Sequence, residues 1–177
     1  MRIIAGEKRG AKIIAPKGHD TRPTADRVRE AAYNQIGPVD GATVLDLFAG
    51  SGAYGLEALS RGAASAVFAE DDPAACQAIR RNLEKLRLGA TVLCRDAIQV
   101  LAGEAGAGRR YDLVLADPPY REFSSVQTGL AIYLPQVLAE EGLAVIETHM
   151  KEEPELPLAV RTSRRYGSAR LTLFEHE

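Results

Sequence analysis

The sequence predicts an α/β fold: a doubly wound, mostly parallel sheet with an antiparallel strand at its C-terminal end, preceded by a hairpin-and-helix extension. Three observations carry this. From residue 42 onward, near-continuous apolar runs alternate with helical stretches, as they do when strands are covered on both faces. The connections between them are short. The last two extended runs have no helix between them, so they pair as a hairpin.

Residues 2–6 (RIIAG) and 11–15 (AKIIA) are short apolar runs separated by EKRG, and they read as a β-hairpin. Residues 16–23 form a loop punctuated by Pro16, Gly18 and Pro23. Thr24 is placed to cap a helix running through Ile36, with Val28, Ala31, Ala32 and Ile36 on one face, and Gly37-Pro38 stops it. Strands follow at 43–48 (TVLDLF), 65–70 (SAVFAE), 91–94 (TVLC), 111–117 (YDLVLAD) and 143–148 (LAVIET). Helices fill 53–61, 72–86, 97–102 and about 123–139. Residues 158–165 and 169–175, joined by YGS, form the closing hairpin. The chain therefore divides into an extension, 1–40, and a body, 41–177.

At 177 residues this is one domain, large enough to bury a core without staples. With 46% hydrophobic and 26% charged residues, the composition is that of a soluble protein. The first residues contain no apolar signal-peptide core, and no run reaches membrane-spanning length, so a cytoplasmic protein without membrane contact is expected. Cys76 and Cys94 have no C-x-x-C spacing and no neighbouring histidine. This argues against structural zinc and fits a reducing compartment. The net charge of −2 conceals an asymmetry: residues 1–30 carry eight Lys/Arg against four acids. A basic arm on an acidic body suits a polyanion met at one end; a solvated charged face is the plainer reading.

Open α/β sheets bind ligands beyond the carboxyl ends of their strands, so the residues standing there matter most. After the first strand comes DLFAGSGAYG, which matches G-x-G-x-x-G through Gly50, Gly52 and Gly55, with Ser51 inside it. Asp46 just before the loop would repel a pyrophosphate but welcome an ammonium group. Glu70 ends the second strand, twenty residues past Gly50, where a carboxylate can hold both ribose hydroxyls; this fits NAD and S-adenosylmethionine equally. Asp72 also stands where a helix cap is wanted. After the third strand, Asp96 can accept from an adenine amine with the Ala97 N–H on the ring, or cap the next helix, or do both.

The fourth strand ends in Asp117-Pro118-Pro119-Tyr120. Consecutive prolines stiffen the loop and remove two N–H donors, leaving carbonyls free to accept. Asp117 and the Pro118 carbonyl can take both hydrogens of a flat exocyclic amine, which localises its lone pair for attack on a methyl group. Tyr120 offers a face on which a flipped base stacks. The isolated histidines His19, His149 and His176 supply no acid–base pair for hydride transfer.

Together LDLFAGSGAYGLEALSRGA, FAEDD, RDA and LADPPY resemble class I S-adenosylmethionine-dependent methyltransferases acting on amino nitrogen. RIIAGEKRGAKI, TRPTADRVREAAYN and the C-terminal RRYGSARLTLFEHE narrow the resemblance to the bacterial 16S rRNA guanine-N2 methyltransferases of the RsmD family. The resemblance implies a Rossmann-like seven-stranded sheet with the last strand antiparallel. It also implies methylation of one guanine N2 in 16S rRNA, within the assembled or assembling small ribosomal subunit, by a monomer that needs no metal. By motif, Asp46 and Gly50, Ser51 and Gly52 would hold the methionine portion of S-adenosylmethionine, Glu70 the ribose, and Asp96 with Ala97 the adenine. Asp117, Pro118 and Tyr120 would be catalytic, and Pro119, Arg22, Arg27 and Arg29 would contact the RNA. Tyr54 departs from the family's usual apolar residue and is expected to alter packing beside the cofactor, leaving catalysis intact. Arg161, Arg164, Arg165 and Arg170 form a second basic cluster, either RNA-facing or a solvated edge. Three rival functions stay open at this point: an adenine-N6 methyltransferase acting on DNA or RNA, an NAD-dependent oxidoreductase, and a non-catalytic RNA-binding ribosome assembly factor.

Overall fold

The computed structural model describes residues 1–17 and 23–177. Arg22 lies outside them, and so does the Thr24 side chain with its expected cap. The elements run α1 (Pro23–Ile36), β1 (Thr43–Leu47), α2 (Ala53–Ser60), β2 (Ser65–Glu70), α3 (Pro73–Leu86), β3 (Thr91–Cys94), α4 (Ala97–Gly106), β4 (Tyr111–Ala116), α5 (Phe123–Val137), β5 (Leu138–His149), β6 (Ala159–Tyr166) and β7 (Ala169–Glu175). A 3₁₀ turn, Tyr120–Glu122, leads into α5.

One seven-stranded sheet takes the order β3-β2-β1-β4-β5-β7-β6. β1 to β5 pair in parallel, while β7 runs antiparallel to both β5 and β6. This is the expected doubly wound sheet with its antiparallel strand. Alternate strand residues feed opposite faces, as the two-residue period of a strand requires. Val44, Phe68, Leu113, Leu115, Val145 and Leu171 pack with Val28, Ala32, Leu56 and Ile79 of α1, α2 and α3. Leu45, Leu47, Val114, Ala116 and Ile146 pack with Leu101, Phe123, Leu130 and Leu134 of α4 and α5.

Three elements differ from the sequence reading. α4 runs to Gly106, four residues past its expected end. The last long helix stops at Val137, and β5 begins at once at Leu138, five residues earlier than expected; its early part joins β4 across a bulge. The N-terminal hairpin reduces to one antiparallel bridge, Arg2 to Lys12. The body competes for its backbone groups. Glu57 of α2 accepts the Ile4 and Ala5 N–H at 2.9 and 3.0 Å, and Ser60 takes the Lys8 N–H at 2.9 Å on its hydroxyl. Asn82 of α3 both donates to and accepts from the Ile14 backbone. Gly6 sits at φ +83 so close to α2 that a Cβ would lie 1.9 Å from the Ser60 carbonyl oxygen. The apolar faces follow: Ile3 and Ile13 are buried in the same core as α1, α2 and α3.

The cysteines also differ from expectation. Read as reduced, they are joined as Cys76–Cys94, because α3 packs on the edge strand β3 and brings their Cα atoms to 6.0 Å, within bridging range. Among the described residues no helix is long and apolar enough to cross a membrane.

Candidate active site

The sheet brings the sequence-predicted acids together at the carboxyl ends of β1, β2 and β4. Asp46 aligns with Phe68 on β2 and Leu115 on β4, so Glu70 and Asp117, each two residues further on, stand on the same face one step beyond it. A surface cleft of about 350 Å³ lies elsewhere, at the strands' amino ends between Pro38, Asp112 and Glu141. It contains none of these groups, and ligands of open α/β sheets bind at the other end.

The glycine loop leaves β1 through a left-handed Phe48 (φ 58), a conformation that a bulky residue adopts only when its surroundings hold it there. The hold is visible. Ala49 N–H donates to the Ala69 carbonyl, Gly50 N–H to Glu70 Oε2 at 2.7 Å, and Asn82 Nδ2 to the Ser51 carbonyl at 3.0 Å. Gly52, at φ 80, turns the chain into α2. Gly55 sits where a Cβ would lie 2.4 Å from the Phe68 ring and 3.0 Å from Asp46 Oδ2. Its bare N–H donates to Asp46 Oδ2 at 2.8 Å. Asp46 is 3% exposed. Burial pushes its carboxyl up to about 8; the Gly55 bond opposes this and the Glu70 charge adds to it.

Glu70 uses Oε2 on Gly50 and Oε1 on the Asp72 N–H at 3.0 Å, which fixes its carboxylate plane while each oxygen keeps a lone pair. Asp72 caps α3 through the Ala74 N–H, ahead of Pro73 at the first helical position. Asp96 is exposed and caps α4 through the Gln99 N–H at 2.9 Å; Ala97 is buried as that helix begins. Glu70 pairs in register with Cys94, so the disulfide adjoins this end of the site.

At the end of β4, Pro118 is buried, while Asp117, Pro119 and Tyr120 reach the surface. The Asp117 carboxyl lies above the usual carboxylate range, through lost hydration and then through Glu147 and Asp46. Its exposed edge weakens the first cause, and the two neighbouring acids give the firmer reason. Glu147, near the end of β5, was missed in the sequence. Its register places it beside Asp117, since Ala116 pairs with Ile146. The Tyr54 hydroxyl donates to Glu147 Oε2 at 2.9 Å and the Tyr120 hydroxyl to Oε1 at 3.3 Å. Asp46, Tyr54, Asp117 and Glu147 line one small cavity with Val145 and Leu171. Tyr54, read from the sequence as a packing residue, is thus part of the site. His149 touches the site as well, its ring edge-on to Tyr120 at 5.5 Å. The strand-end rule that found Asp46, Glu70 and Asp117 also finds Glu147 when applied to the fifth strand.

Arg29 overturns an expectation. It is 1% exposed, it donates to the Arg2 carbonyl and to Asp26 Oδ1 (3.1 Å), and its Nε lies 3.6 Å from the buried Glu57. Its charge is spent inside, where the sheet-facing side of α1 meets α2, so it is not an RNA contact. Arg27 is exposed. In the second basic cluster, Arg161 pairs with Glu175 and Arg170 is buried against Met150, Ser163 and Glu153; Arg164 and Arg165 are exposed.

The donor set fits S-adenosylmethionine. Asp46 and Glu70 flank the glycine loop with acceptors suited to an ammonium group and to ribose hydroxyls, an arrangement a pyrophosphate would oppose. The family model described as "Conserved hypothetical protein 95" matches residues 1–175. Ribosomal RNA small subunit methyltransferase D of Escherichia coli is 37% identical over 182 residues, covering 100% of this chain and 90% of that one. The chain belongs to the RsmD family. Across the family the fold is shared: the solved structure of a hypothetical protein from Thermus thermophilus superimposes with a TM-score of 0.85 at 32% identity, over 99% of each chain. A more distant Thermus thermophilus structure, the 16S rRNA N2 methyltransferase RsmC with AdoMet and guanosine, has a TM-score of 0.70 at 23% identity. It covers 91% of this chain and 45% of that one, and shows the RsmD-family fold recurring there.

Proposed function

We propose that this chain transfers a methyl group from S-adenosylmethionine to the exocyclic N2 of a guanine in 16S rRNA. It acts in the cytoplasm, as a monomer, on the assembled or assembling small subunit. The observation that carries this is Asp117-Pro118-Pro119-Tyr120 at the end of β4, on the same sheet face as Asp46 and Glu70. The whole-chain likeness to small-subunit methyltransferase D supports the substrate class. The cytoplasmic assignment follows from that substrate and not from the bonded cysteines.

In this reading Asp46 takes the cofactor's ammonium group, Glu70 its ribose hydroxyls, and Asp96 with the Ala97 N–H its adenine. S-adenosylmethionine supplies an electrophilic methyl group on a sulfonium. Tyr120 stacks the flipped guanine, with Pro119 beside it, while Asp117 and the Pro118 carbonyl accept the two amine hydrogens. The nitrogen lone pair is thereby aimed at the methyl carbon, and positioning provides most of the rate. The nitrogen gains a methyl group and sheds a proton, for which Asp117, already holding that hydrogen, is the nearest base. Asp117→Ala should keep cofactor affinity and lose roughly 100-fold or more in turnover. Undiminished turnover would remove Asp117 from the mechanism.

A further inference from the structure

We infer that Glu147 is the residue that selects guanine, by accepting the N1–H of the flipped base while Asp117 holds the neighbouring N2 amine. This deepens the proposed function and rests on it.

Three features of the structure support it. Asp117 and Glu147 directly follow the paired Ala116 and Ile146 of β4 and β5, neighbouring strands that run about 4.8 Å apart in a sheet, and both line one cavity. Guanine presents N1–H and N2–H₂ as adjacent donors on one edge, so two neighbouring carboxylates complement that edge. Adenine presents N1 as an acceptor, which a carboxylate repels. Second, the side chain is held as an acceptor. The Tyr54 hydroxyl donates to Oε2 at 2.9 Å and fixes the carboxylate plane from the buried side. Among the described residues Oε1 has the longer bond from Tyr120, at 3.3 Å, and Tyr120 is the half-exposed ring on which the base is to stack. Oε1 therefore faces the incoming edge. Third, among the described residues no lysine or arginine pairs with Glu147, although it is half-buried. An inward-facing carboxylate without a cation is costly to keep, and a substrate donor offsets that cost at the moment of binding.

The alternative is that Glu147 only buttresses the two tyrosines. The two roles separate with 2-aminopurine, which keeps the 2-amine but has an unprotonated N1. Small subunits are reconstituted with 16S rRNA carrying either guanine or 2-aminopurine at the mapped target position. Wild type should prefer guanine by roughly 100-fold or more in kcat/KM, as sites built around a donor reject analogues lacking it. Glu147→Gln, which offers an amide N–H to an acceptor N1, should methylate guanine more slowly and 2-aminopurine faster, narrowing the preference to within about tenfold. Cofactor affinity should stay at the wild-type value. An equal loss on both substrates, or no preference in wild type, overturns the inference. If the glutamine variant fails to bind cofactor, Tyr54→Phe takes its place. That change frees Oε2 without adding a donor and should also narrow the preference; an unchanged preference overturns the inference. Failure of the underlying function would be seen in the wild-type guanine arm alone, as the absence of N2-methylguanine.

Discussion

Asp46 Oδ2 accepts the Gly55 N–H at 2.8 Å and ties the end of β1 to the first turn of α2. The same burial that makes this bond raises the Asp46 carboxyl to about 8. A folded-state pKa above the unfolded value of about 4 means that the native state binds the extra proton. The resulting stability is complete below pH 4 and is lost as pH rises through about 8. Asp46→Asn keeps the acceptor without the charge. Against wild type it should gain on the order of 5 kcal/mol at pH 8 and nothing at pH 4, since the carboxyl rises from 3.8 to about 8 and each pH unit of that rise is worth about 1.4 kcal/mol. Denaturant titrations at both values check this. At pH 8 the same variant should lose roughly ten- to a hundredfold in S-adenosylmethionine affinity, read by calorimetry.

Arg27 and Arg29 are two residues apart on α1 and should behave as opposites. Arg29→Ala removes a fully buried side chain with its bonds to the Arg2 carbonyl and Asp26, though Glu57 keeps Arg61 at 2.8 Å, and should cost about 2–3 kcal/mol of stability. Arg27→Ala should cost under about 0.5 kcal/mol. It should instead weaken binding to small subunits and lower the salt slope by about 1. Chemical denaturation and salt-dependent binding measure the two effects separately.

Gly55→Ala should destabilise the protein by about 1–3 kcal/mol, because the new methyl meets the ring of the fully buried Phe68 at 2.4 Å. Cofactor affinity should fall with it, since Asp46 and the glycine loop share that contact. A thermal melt and a binding isotherm report both.

The parts of the fold and site that were legible in the sequence are local ones. Strand and helix periods, the glycine loop, and the acids at strand ends are each written in contiguous residues. The misses have long reach. Glu147 and Tyr54 meet across 93 positions, through a register that no single strand specifies. Arg29 finds Glu57 only because α1 packs on α2. The N-terminal hairpin keeps the Ile3 and Ile13 N–H groups on its own carbonyls, yet those of Ile4, Ala5 and Lys8 go to Glu57 and Ser60. Cys76 and Cys94 lack a spacing motif because a helix and an edge strand bring them together.

The central claim is that the Asp117 loop presents a guanine amine of small-subunit rRNA for methylation. The most direct measurement incubates the protein and labelled S-adenosylmethionine with small subunits from cells lacking this enzyme, then digests the RNA to nucleosides. The account predicts label in N2-methylguanosine alone, abolished by Asp117→Ala. Label in N6-methyladenosine, or no label in RNA at all, would contradict it.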